Sequence, residues 1–104
     1  MILWSNQRYR KGERLMMYPY MKMADGTQIV HSQIIEENGK QKVLVHFERP
    51  TENGFDSARC ELPDYKWVIR EGYSNEEINF FEKLVRSNAH LLYKYAASGG
   101  ICIA

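Results

Sequence analysis

Two histidines are the residues best placed to do chemistry. His31 and His46 lie in two strand-like runs, residues 27–36 and 40–48, joined by Asn38-Gly39. Asn-Gly supplies the two positive φ angles of a type I′ turn. A two-residue turn sets Glu37 opposite Lys40, and the same register then sets His31 opposite His46. Opposed residues of an antiparallel pair have Cβ atoms ~4.5–5.5 Å apart, so both imidazoles could share a metal ion. Spacing names no third ligand, and two ligands alone make no metal site. The simpler reading is two polar side chains on a wet sheet face beside Gln33 and Glu48. No cofactor is expected.

Cys60 and Cys102 have no second cysteine near them, which excludes a CxxC redox pair and a zinc knuckle. Cys60 alternates with Ala58 and Leu62 and reads as a small buried apolar residue. His46-Phe47-Glu48 matches the HxE of a zinc deaminase, but the partner PCxxC is missing. No GxxxxGK[ST], GxGxxG or GxSxG stretch occurs. An enzyme is therefore the less expected class.

Lys83, Arg86, His90 and Lys94 recur on one side of a helical stretch. With Arg8, Arg10, Lys11 and Arg14, and with Tyr9, Tyr18 and Tyr20, they could line a groove for a nucleic-acid strand. The chain as a whole carries 14 basic and 13 acidic residues, a net charge of +1. Such binders are strongly basic, so a solvated helix face and a basic arm are the simpler reading. Asn88 stands alone as a polar residue deep in the apolar arc formed by Phe81, Leu84, Val85, Leu92 and Tyr95. A buried amide without partners costs ~1–3 kcal/mol, so a hydrogen bond to backbone or a loop is the first expectation. The functional alternatives are the floor of a pocket or a register-fixing group between helices.

These side chains must be held by a small set of elements. The 104 residues suffice for one domain. Residues 15–23 read as a strand interrupted by Pro19, which belongs on an edge. The hairpin follows, with one apolar face and one wet face. Residues 50–54 read as a loop, 56–62 and 65–70 as strands. Ser74 and Glu77 form a capping box, and Gly99-Gly100 stops the helix that runs over about 75–98. Its apolar arc fills about half the circumference, wider than one sheet face covers. Lys94 near its end complements the dipole.

Strands followed by one helix give an α+β fold. The expectation is an antiparallel meander of four to five strands with one long C-terminal helix packed across one face. Residues 1–14 form a basic N-terminal arm, 15–104 the domain, and 101–104 a short apolar tail. No apolar run approaches the ~20 residues of a membrane span, and no signal-peptide core is present, so the cytoplasm is the expected address.

Glu48-Arg49-Pro50-Thr51, the stretch from Gly54 to Pro63 and Asn88-Ala89-His90-Leu91 resemble segments of a small uncharacterised bacterial protein family. The resemblance covers about the last three quarters of the chain. It implies a bacterial origin and no activity, and no site residue carries over from it.

The expected function is a small non-enzymatic binding or regulatory module acting through protein–protein contacts. Homodimerisation is one way to cover its apolar surfaces. A nucleic-acid-associated protein using the arm and stripe is the alternative, and a small metal-assisted enzyme using His31 and His46 is the second.

Overall fold

The turn at Asn38-Gly39 forms as its residues require, with φ of 53° and 78°. The computed structural model describes residues 2–3 and 14–100. Arg8, Arg10, Lys11 and Cys102 lie outside the described residues, as does the 101–104 tail. The elements are β1 (Ile2–Leu3), β2 (Met16–Lys22), β3 (Gln28–Ser32), β4 (Ile35–Glu37), β5 (Lys40–Thr51), β6 (Gly54–Leu62), β7 (Lys66–Glu71) and α1 (Asn75–Ser98). The sheet runs β1-β2-β3-β5-β6-β7, with β4 also paired to β5, and every pairing is antiparallel. β3 and β4 act as one interrupted strand. The α+β meander with a single long helix is therefore the observed architecture. Part of the N-terminal arm belongs to it, since β1 extends the sheet beside β2.

The helix begins where its cap predicts. The Glu77 amide donates to Ser74 Oγ at 3.1 Å, and the Ser74 amide donates to Glu77 Oε1 at 2.9 Å. Gly99 ends it in the left-handed region at φ 83°. Lys94 stops just short of the last turn, which holds no basic residue. Ile78, Phe81, Val85, Leu92 and Ala96 face the sheet. Phe81 stacks on Phe47 with ring centroids 4.3 Å apart, and Tyr73 meets Phe81 edge-on at 5.0 Å. Such ring pairs add ~0.5–1.5 kcal/mol each beyond the area they bury.

The hairpin register departs from expectation at one point. Near the turn it holds, with Ile35 opposite Lys42 and Glu37 opposite Lys40. Beyond residues 33–34 it slips by one, so Val30 faces His46 and His31 faces Val45. Ser32 explains the slip. Its hydroxyl accepts from the Leu44 amide at 2.9 Å and donates to the Gln33 carbonyl at 2.8 Å. A side chain thus takes the place of a ladder acceptor, and an extra residue fits into the strand.

Because side chains alternate, a slip of one residue exchanges the faces of β3. Ile29 joins Val43, Val45 and Phe47 under the helix. Val30 instead joins Leu15, Met17, Ile35 and Leu44 in a second buried cluster on the opposite side. At its centre the sheet is therefore buried on both faces, where a wet face was expected. The expected loop at 50–54 is also shorter. β5 and β6 pair through Thr51 and Gly54, leaving only Glu52 and Asn53 as the turn. Pro50 is accommodated because β3 ends opposite Glu48, so β5 has one neighbour there.

Pro19 sits in β2 as expected of an edge residue. β1 pairs only with Met16 and Met17, and the register shifts between Pro19 and Met21.

Candidate functional site

His31 and His46 do not meet. The slipped register sends His31 toward the helix and His46 to the other face. No shared metal can lie between them, and among the described residues no cluster of three or more His, Cys, Asp or Glu could hold one. The metal-assisted reading is withdrawn on this geometry.

Each histidine is instead a buried structural group. His31 is fully buried beside Tyr18 and Tyr20, with ring centroids 5.7 and 6.1 Å away. Its Nδ1 donates to the Ser32 carbonyl at 2.9 Å, which leaves Nε2 as an unprotonated acceptor. Burial holds its pKa below the usual imidazole value. His46 has the opposite tautomer. Arg59 Nε donates to its Nδ1 at 3.2 Å, so Nε2 carries the proton and lies 3.7 Å from Glu48 Oε1. Burial and the adjacent Arg59 cation push His46 down to about 4. Arg59 itself, on the side of β6 opposite Ala58, Cys60 and Leu62, is 3% exposed on this second face.

Asn88 follows its simpler reading. Its Oδ1 accepts from the Tyr20 hydroxyl at 2.6 Å, and its Nδ2 donates to the Leu84 carbonyl at 2.8 Å. The amide ties the helix to β2 and is not the floor of a pocket. Cys60 is a buried free thiol, pushed up to about 12 mainly by burial, and so lacks the thiolate that a nucleophile needs. An open recess of about 370 Å³ beside the bulge in β2 is walled by Tyr20, Met21, Lys22, Gln28 and Ile29 among others. Lys22 is the charged group on that wall among the described residues.

Arg49 was not singled out by sequence, yet it organises one end of the molecule. It donates to Asp56 from Nε and Nη2 at 3.0 and 2.8 Å, and to Asp25 and Glu77 from Nη1 at 2.9 and 2.8 Å. Its guanidinium also lies 4.6 Å above the Tyr73 ring. The clamp joins the β2–β3 turn, β6 and the helix start. Its partners are far apart in sequence, so no local motif signals it.

The basic stripe is only partly free for a ligand. Arg86 pairs with Glu82 at 3.2 Å and stacks on Tyr65 at 3.9 Å. Lys83, His90 and Lys94 remain exposed. The two flanks of the helix differ sharply. On one flank, Glu82 accepts from Trp67 Nε1 and Asn75 accepts from Arg70, both of β7, and Tyr93 donates to the Gln41 carbonyl at the start of β5. Toward β2 and outward, Phe80 is 54% exposed, with Leu84 and Leu91 half-buried and Ser87 exposed between them. These four residues follow a 4-3-4 spacing, so they form one stripe along the helix. The sequence showed the width of the arc but not which part the sheet leaves uncovered.

No helix among the described residues is long and apolar enough to cross a membrane. Comparison with protein-family models, curated proteins and solved structures finds no match to this chain.

Proposed function

We propose that this protein is a small non-enzymatic binding module that presents the outer flank of its helix to a protein partner. The observation that supports the reading is the apolar stripe of Phe80, Leu84 and Leu91, whose most exposed member keeps 54% of its surface in water. Phe80 meets Phe81 edge-on with ring centroids 6.4 Å apart yet leaves more than half of its surface in water, and aromatic side chains are enriched where proteins dock. Leu84 packs its inner side against the core, so Phe80 is the part of the stripe left most open to a partner. Among the described residues, His31, His46 and Cys60 are buried.

A photoreactive residue at Ser87, in the middle of the stripe, tests the reading in intact cells. The expected result is a discrete cross-linked protein product that disappears when Phe80→Asp is added. A chain that yields no such product, or the same product in both backgrounds, contradicts the assignment.

A further inference from the structure

We infer that the partner of this flank is a second copy of the same chain, docked helix against helix in antiparallel orientation. The inference rests on the reading of the flank given above and adds the identity of the partner. It comes from the order of residues along the stripe. Phe80, Leu84, Ser87 and Leu91 are spaced identically from either end about the midpoint between Val85 and Arg86. A two-fold axis at that point sets Phe80 of one copy against Leu91 of the other. It also sets Leu84 against Ser87, a large side chain against a small one. That is the self-complementarity a two-fold interface requires.

Charge supports the same direction. The first turn of the helix is acidic, with Glu76 and Glu77, whereas Lys83, His90 and Lys94 lie exposed farther along. Antiparallel docking brings the exposed Glu76 of each copy near Lys94 of the other. It also opposes the two helix dipoles. Parallel docking would place acid beside acid and base beside base.

The sheet edges offer poorer routes to self-association. The β2 edge beyond Met17 carries Pro19 and a bulge. The β7 edge carries Lys66 and Arg70, and its register breaks at the exposed Val68. Proline, bulges and charged residues are the features that block strand addition. The 24-residue helix is ~36 Å long, so a helix pair of this kind is small, and association is sought from micromolar concentration upward.

Sedimentation equilibrium of the purified full chain, from low micromolar to several hundred micromolar, tests the inference. The expected mass rises from one chain of 12.3 kDa toward twice that value. Phe80→Asp and Leu91→Asp each weaken association at least tenfold. Glu76→Lys weakens it too, and adding Lys94→Glu restores it, which only the antiparallel register predicts. Circular dichroism confirms that each variant is folded, as expected for exposed or half-buried positions. A wild-type chain that stays monomeric throughout overturns the inference. So does a dimer that survives Phe80→Asp, or a double charge exchange that fails to restore association. If the chain is monomeric but the Ser87 cross-link to another protein persists and depends on Phe80, only the identity of the partner falls. If both signals are absent, the binding-module reading falls with it.

Discussion

Two regions of this molecule invert the ordinary distribution of polar and apolar residues, and they do so with opposite consequences. The central sheet and the turn leading into β3 bury His31, His46, Arg59, Ser32 and Thr27. The helix flank exposes Phe80. In the sheet the chain compensates for much of the inversion itself. Ser32 replaces a ladder acceptor, Arg59 donates to His46, and Thr27 meets the Tyr73 hydroxyl at 3.0 Å. On the flank Phe81 touches one edge of the Phe80 ring, and most of that ring stays in water. Buried polar groups that find partners are architecture, whereas exposed apolar groups without cover are the part of a structure that looks outward.

The comparison can be broken most forcefully on the inner face of the helix. Phe81→Ala removes the ring stacked between Phe47 and Tyr73, and it should cost about 3–5 kcal/mol in denaturant unfolding. A cost below 1 kcal/mol would mean that the inner stripe is not the core.

Acid tests the compensated side. His46 is held at about 4 in the fold against 6.5 in the unfolded chain. Its stabilising preference for the neutral form is complete above pH 6.5 and is lost as pH falls through the interval down to about 4. His31 is shifted in the same direction. The unfolded chain binds more protons there, so stability declines by about 3 kcal/mol from His46 alone between pH 7 and pH 4. Glu48, raised by burial, opposes part of this loss. His46→Gln should flatten the pH dependence measured by urea unfolding. An unchanged slope would contradict the assignment.

Tyr20→Phe deletes one hydroxyl and strands Asn88 Oδ1, at an expected cost of about 1–2 kcal/mol. A neutral effect in thermal unfolding would show that this link does not hold the helix on β2. Phe80→Ala should be the smallest effect, within about 0.5 kcal/mol, because the ring contributes little to the lone fold. A large loss of monomer stability would move Phe80 from the flank into the core.

Local chemistry made some of this legible in the sequence. Ser74, Glu77 and Gly99 set the helix limits, and Asn38-Gly39 set the turn. The α+β order followed from strands preceding the helix. The faces of β3 were not legible, because they depend on one hydroxyl choosing an amide on the neighbouring strand. That choice separated His31 from His46 and buried the second face. Arg49 was hidden for a different reason. Its carboxylates come from three separate elements and converge only in the folded chain. The width of the apolar arc was visible, but which residues it leaves outside depends on where the sheet ends.

Hydroxyl-radical footprinting of the purified chain tests the central claim most directly, because it reads side-chain exposure at Phe80 and Phe81 in one experiment. The account predicts that Phe81 is protected at every concentration. Phe80 should be readily oxidised in dilute solution and become protected as concentration rises from micromolar upward. Protection of Phe80 that matches Phe81 in the most dilute sample would contradict it, as would a Phe80 rate that never changes with concentration.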